Sequence, residues 1–187
     1  MPDGPLLWFV NRGSGFALLA VLSLTVLLGV IARGGRAGGL VPGFVLQSLH
    51  RSTSLLGVSL LGVHVLTAVA DEFVDIRWWD AVLPLGAEYE PLWLGLGALS
   101  LDLALAVVVT SLLRTRIGHE TWRVVHVLAY AAWTVGVVHG LGIGTDTGEP
   151  WAAAVYLGSV VVVGTAGLIR LDALRTPTPH GPSEVRR

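Results

Sequence analysis

The sequence predicts an all-α fold, an integral membrane bundle of five transmembrane helices, and three observations predict it. The 187 residues are 53% hydrophobic and 13% charged with a mean hydropathy of +0.71, far too apolar a balance for a soluble domain of this length. The apolar residues gather in five runs, each close to the ~20 residues that cross about 30 Å of hydrocarbon. Lysine is absent, and the arginines fall almost entirely in alternate connections between those runs.

The first span, Gly13 to Ala32, carries no charge and follows a short extracytoplasmic segment, residues 1–12. Its length, its scarcely basic flank and its poor small-residue cleavage pattern argue for a retained span over a cleaved signal peptide. The second, Phe44 to Ala70, holds His50, Arg51 and His64. The third, Pro91 to Leu113, is apolar apart from Asp102. The fourth, Thr121 to Ile143, holds His126 and His139, and the fifth runs from Trp151 to Ile169. Residues 13–170 thus form the membrane domain. The polar, proline-containing segment 171–187 reads as a disordered cytoplasmic tail. Between the second and third spans, Phe73, Val74, Ile76, Trp78, Trp79, Val82 and Leu83 form an apolar pattern suited to an interfacial helix. No repeat is evident beyond the histidine spacing.

If five spans alternate, Arg33, Arg36, Arg51, Arg114, Arg116, Arg123, Arg170, Arg175, Arg186 and Arg187 share one side, and only Arg12 and Arg77 lie on the other. Basic residues mark the cytoplasmic side, so the N-terminus is expected outside and the C-terminus inside a bacterial cell membrane. Trp8, Trp78, Trp79, Trp93 and Trp151 then gather near the outer boundary and Trp122 near the inner one.

The composition also excludes chemistry. A net charge of −1 and the lack of a basic, aromatic-interleaved patch give no sign of nucleic-acid binding. Cysteine is absent and Met1 is the only methionine, which removes disulfides, thiolate zinc, iron–sulfur clusters and covalent c-type haem.

What remains is histidine. Four of the six histidines sit in apolar runs, where an ionisable side chain is costly and marks a functional site by default. His64 follows His50 by fourteen positions, and His139 follows His126 by thirteen. At about 1.5 Å per helical residue each pair spans roughly 20 Å, two levels within one membrane. One span separates the two histidine helices, so they run parallel. His50 is therefore level with His126 near the cytoplasmic face, and His64 with His139 nearer the outer face. Histidine ligands paired by depth predict two non-covalent bis-histidine haems, one above the other.

Two other readings fit histidines in membranes. They can hydrogen-bond across helices, or they can serve a non-redox transporter or transition-metal site, with Asp102 as an extra ligand. Ligands roughly 20 Å apart cannot share one ion, which disfavours the second. Angular geometry supports haem at one helix only. At about 100° per residue, a step of fourteen comes within about 40° of whole turns, whereas a step of thirteen misses by about 140°. The fourth span therefore needs a local helix irregularity, with Gly136 as its candidate place, or supercoiling, or an adaptable ligand approach.

Other residues join the proposed path. Gly57, midway between His50 and His64 in sequence, either lets a flat macrocycle approach or packs helices. Arg51 and Arg123, close to ligands in sequence, are candidates to pair with haem propionates, or they signal topology. Trp133, at mid-membrane depth between His126 and His139, either lies between the haems or packs the core. Asp102 is read as hydrogen-bonding a neighbouring helix or relaying a proton, and His119 as an interfacial residue.

The run Leu112 to His126, LLR-x-R-x-G-x-x-x-W-R-x-x-H, and the run Val138 to Asp146, VHGLGIGTD, together with the two histidine spacings, resemble the ferric reductase-like transmembrane domain. That domain is shared by ferric reductases, NADPH oxidases and bacterial haem-binding membrane subunits of periplasmic repair systems. The resemblance covers residues 45 to 170 and is closest to short bacterial members. It implies that His50, His64, His126 and His139 bind b-type haem, two expected with one as the alternative, and pass electrons across the membrane. No G-x-G-x-x-G follows a strand, so no nicotinamide-nucleotide module is expected. Electrons are then expected from a separate flavoprotein or a quinol. The expected acceptor is extracytoplasmic, a ferric complex, oxygen or a redox protein. The implied role is an oxidoreductase acting with that donor, or a relay subunit.

Overall fold

In a bilayer no water is available to the backbone, so each spanning segment must satisfy its own amides, and a helix does this within one segment. The structure, a computed structural model, describes residues 6–34, 41–84 and 86–175. Among these residues there are helices and no strands: α1 (Leu6–Gly34), α2 (Gly43–Ala70), α3 (Pro91–Leu112), α4 (Arg114–Ile117), α5 (His119–His126), α6 (Leu128–Ile143) and α7 (Pro150–Arg175). Five spans are long and apolar enough to cross a membrane, with α5 and α6 acting as one. The predicted all-α, five-span bundle is therefore observed.

The packing inverts that of a soluble protein. Large apolar side chains point outward, among them Leu55, Leu66, Leu157, Val161 and Leu168. Small ones fill the contacts, including Ala98, Ala152, Ala166, Ser23 and Ser159. Where lipid is as apolar as the core, close backbone approach and dispersion replace hydrophobic expulsion as the cause of association. Hydroxyls are tolerated because they bond back one turn, as Ser23 does to Leu19 O, Thr25 to Val21 O and Thr110 to Ala106 O.

The close-packed helix pairs are α1 with α2, α6 and α7, and α3 with α5 and α6. None of these pairs joins α2 to α5 or α6. Two antiparallel units, α1–α2 and α3–α5–α6, thus meet chiefly through α1 and α6, leaving α2 to face α5 and α6 without close backbone packing.

Three boundaries differ from the expectation. First, α1 begins at Leu6 rather than Gly13, so Asn11 and Arg12 lie within the helix. Both have tertiary partners. Asn11 Nδ2 donates to His64 O at 2.7 Å and to Thr67 Oγ1 at 3.3 Å, and Arg12 pairs with Asp146 and Thr145 near the end of α6. Second, α7 continues through Arg175, into the segment read as tail, while residues 176–187, like Arg36, lie outside the described residues.

Third, the connection 71–90 forms turns and bends among its described residues rather than an interfacial helix. The physical reason is local. Asp80 is buried, with 3% exposure, and its carboxylate accepts both Arg77 N and Arg77 Nε at 3.0 Å. Arg77 also lies over Trp79 and near Glu88. These bonds wind the chain into a turn, and Pro84 and Gly86, with φ +125°, oppose helical continuation.

The Arg77 hydrogen bond holds the Asp80 carboxyl below its ordinary range, against the opposing effect of desolvation. A carboxylate with a depressed pKa stabilises the fold fully above its unfolded value of about 4 and ceases to as the pH falls through the folded value. Hydrogen exchange of the 76–83 amides is therefore expected to be constant above about pH 4, after correction for intrinsic rates, and to accelerate below it. Asp80→Asn should abolish that step; a step that persists in the variant would assign it to another group.

Candidate functional site: two facing histidine pairs

Of the three ways to accommodate the histidine spacing, the structure shows a local helix irregularity, at a residue other than Gly136. α5 ends at His126 and α6 starts at Leu128, with a tighter turn in which Tyr130 N donates to Val127 O at 3.1 Å. Gly136 lies inside continuous α6, where a Cβ would come 3.1 Å from Ser100 Oγ, so that glycine serves close approach to α3. Val127 keeps helical dihedrals, φ −65° and ψ −24°, so the irregularity is one tightened turn next to His126 within a single span.

The result is two facing pairs. The ring centres of His50 and His126 are 6.2 Å apart, and those of His64 and His139 are 6.4 Å apart. An imidazole nitrogen lies about 1.1 Å from its ring centre and bonds a first-row metal at about 2.0–2.1 Å, so two rings ligating one ion from opposite sides have centres about 6 Å apart. Both gaps match that value. Among the described residues no cluster of three or more His, Cys, Asp or Glu could hold a bare ion. Two single-ring ligands across a gap suit a flat group that supplies its own equatorial donors, as haem does.

The rings are oriented by backbone carbonyls. His50 Nδ1 donates to Thr25 O at 3.0 Å, His64 Nδ1 to Asn11 O at 3.0 Å and His139 Nδ1 to Trp93 O at 2.7 Å. A carbonyl only accepts, so the proton sits on Nδ1 and the Nε2 lone pair is left free to ligate. Such a partner also makes the ligand more basic. His126 Nδ1, by contrast, is buried without a hydrogen-bond partner.

The close approach of each anchored ring depends on a glycine. A Cβ on Gly15 would lie 3.1 Å from His64 Cε1, on Gly29 3.1 Å from His50 Cε1, and on Gly97 2.7 Å from His139 Cε1. Each glycine lies one helical turn, four positions, beyond the accepting carbonyl. Sequence reasoning missed these six residues, Asn11, Gly15, Thr25, Gly29, Trp93 and Gly97. One signal was available: Gly29 follows Gly15 by fourteen positions, the same step as from His50 to His64 on the antiparallel neighbour.

The other predicted site residues are placed as follows. Gly57 is buried against α1, where a Cβ would meet Leu22 Cδ2 at 3.3 Å, a helix-packing contact. Trp133 is half-buried, and its Nε1 donates to Ser23 Oγ on α1 at 2.9 Å, tying the two units together between the histidine levels. Arg51 is exposed, and Arg123 is exposed and paired with Glu120. Both lie at the end of the bundle near His50 and His126. Asp102 is half-buried in α3. His119 stacks with Trp122 at 5.2 Å, and Trp122 with His126 at 4.8 Å.

Comparison with known proteins agrees with this architecture. No curated protein and no solved structure gives a significant match. The family model described as the ferric reductase like transmembrane component matches residues 14–137, about two thirds of the chain, taking in His50, His64 and His126 and stopping just before His139. A multi-pass membrane protein whose spans, histidine helices and family match coincide in this way belongs to the ferric reductase-like transmembrane family.

Proposed function

We propose that the chain conducts electrons across a bacterial plasma membrane through two b-type haems, one held by His50 and His126 and the other by His64 and His139. The observation that carries this reading is the repetition of one gap, 6.2 and 6.4 Å between ring centres, at two levels. Haem, when bound, supplies one-electron ferric/ferrous chemistry. The chain's own residues do the rest. The carbonyls of Thr25, Asn11 and Trp93 hold three imidazoles in the ligating tautomer. The surrounding apolar helices exclude water and so tune the potential.

Arginine distribution supports a cytoplasmic location for the level of His50 and His126, with the N-terminus outside and the C-terminus inside. Arg51 and Arg123 are the proposed propionate partners there, Arg123 by exchanging its exposed bond to Glu120. Gly57 sets the spacing of α1 and α2 between the levels. The donor is a separate flavoprotein or a quinol, and the acceptor an extracytoplasmic ferric complex, oxygen or redox protein. Each electron leaves the donor and reduces that acceptor, so the chain undergoes no net change.

The test is spectroscopic. Protein purified from haem-replete cells should show oxidised and dithionite-reduced spectra of low-spin b-type haem, with a pyridine haemochrome stoichiometry of two per chain. A colourless preparation removes the reading in favour of a non-redox transporter or metal-binding membrane protein; a stoichiometry of one removes the second level. Trp133→Leu should slow electron transfer between the levels several-fold with both spectra intact, because the Ser23 bond it breaks contributes only about 0.6 kcal/mol in a membrane. Unchanged kinetics would return Trp133 to packing alone.

A further inference from the structure

The four histidines do not have equivalent environments. Three obey one rule: Nδ1 donates to the carbonyl of a residue on the neighbouring helix, and the residue four positions on is a glycine over which the ring edge lies. The pairs are Asn11 with Gly15, Thr25 with Gly29, and Trp93 with Gly97. On α1 the second pair follows the first by fourteen positions. The same step along α3 leads from Trp93 and Gly97 to Val107 and Ser111.

At that fourth position every element of the rule changes. Ser111 has the Cβ that the three glycines lack, and at those glycines a Cβ would crowd the imidazole to 3.1 Å or less. Val107 O accepts from Thr110 Oγ1 at 3.2 Å, as Asn11 O does from Ser14 Oγ at 2.9 Å, but unlike Asn11 O it accepts from no histidine. Ser111 Oγ accepts Trp122 Nε1 at 3.2 Å, and the Trp122 ring stacks on His126 at 4.8 Å, tilted by 30°. His126 Nδ1 is left buried and without a partner.

We infer that Ser111 is a positioning residue that keeps His126 off the α3 backbone, so that the His50–His126 level has one carbonyl-anchored ligand where the His64–His139 level has two, and that this raises the potential of the first level. The inference rests on the haem reading above. A carbonyl bonded to Nδ1–H makes the imidazole more basic, and a more basic ligand stabilises ferric over ferrous iron. Withholding the carbonyl shifts the balance toward ferrous. Comparing each variant with the wild type cancels the effect of burial, which also sets potentials.

The experiment is a redox titration of the intact protein in detergent, followed by visible spectra and by low-spin electron paramagnetic resonance, which resolves the two components. Ser111→Gly should let His126 dock on Val107 O and move one component to lower potential, by about tenfold in the ferric-to-ferrous ratio or about 59 mV for one electron. Gly29→Ala, which pushes His50 off Thr25 O, should move the same component upward. Gly97→Ala should raise the other component alone. Ser111→Ala keeps the Cβ and should move neither.

The inference is overturned if Ser111→Gly leaves both components in place, if Ser111→Ala shifts a component as Ser111→Gly does, or if Gly97→Ala moves the component that responds to Ser111→Gly. The underlying haem reading fails separately, as a wild-type preparation lacking haem absorption or showing a single component.

Discussion

His64→Ala should lose half of the bound haem and keep its helical fold, measured as a fall from two to one per chain by pyridine haemochrome with an unchanged far-ultraviolet spectrum. His64 faces His139 across 6.4 Å, and removing either leaves that level with one axial ligand. The double variant His64→Ala/His139→Ala should therefore lose no more than either single one, since both act on the same level. His50→Ala/His64→Ala should lose all haem, because those two residues serve different levels. The contrast tests the pairing itself. If His64→Ala/His126→Ala retained as much haem as His64→Ala, ligands would not pair by depth, and the two-level arrangement would have to be redrawn. The fold should survive each substitution, because the helices are held by contacts of α1 with α2 and α7 and of α3 with α6, not by the rings.

Gly95→Ala is the structural counterpart and should be among the most damaging single methyls in the bundle. The carbonyl oxygen of Pro84 occupies the place where a Cβ at residue 95 would go, and backbone, unlike the tip of a flexible side chain, cannot step aside cheaply. Inserting the methyl should displace Pro84 from the first turns of α3 and cost about 1–3 kcal/mol, the usual range for overpacking. Thermal unfolding in detergent should show it as a lower transition temperature than for Gly43→Ala, a helix-start glycine with open space around its Cβ. Equal transition temperatures would mean that the loop is not seated on α3 in solution. Because Trp93, two positions away, supplies the carbonyl that orients His139, the same variant should also weaken haem retention at that level.

Much of this protein is readable without coordinates because the bilayer permits so few solutions. A run of about 20 apolar residues must be a helix, so the five spans, and the two that carry histidines, follow from hydropathy alone. The alternation of spans then sets His50 beside His126 and His64 beside His139 in depth, and ring centres 6.2 and 6.4 Å apart agree with both pairings. That the fourth span needs some accommodation is foreseeable too, from a step of thirteen that misses whole turns, although irregularity, supercoiling and ligand approach would each supply it. Its location is not. Glycine is the common cause of a bend, yet Gly136 is used for close approach to Ser100 and the tightened turn lies at Val127, next to His126.

The connection 71–90 misleads a reading by hydropathy because its apolar period is genuine while its geometry is decided by a few polar contacts. Arg77 and Asp80 close a turn that hydropathy cannot register. The start of α1 misleads for a similar reason. Asn11 and Arg12 look like a polar boundary in one dimension, but His64 O and Asp146 supply partners that let them enter the helix.

The class of fold, the number of spans and the pairing of His50 with His126 and of His64 with His139 follow from the residues alone, because membrane thickness and helical rise leave little freedom once the apolar runs are known. How each imidazole is held is settled by packing between helices. Whether a ring rests on a neighbouring helix depends on a carbonyl that every residue possesses and on whether the residue one turn further on lacks a Cβ, and neither is informative until the two helices are side by side. That is why the step of fourteen from Gly15 to Gly29 gains its meaning only beside His50 and His64, why Gly97 looks like any other glycine of the chain, and why Ser111, in the place of a fourth, gives no sign that His126 stands apart.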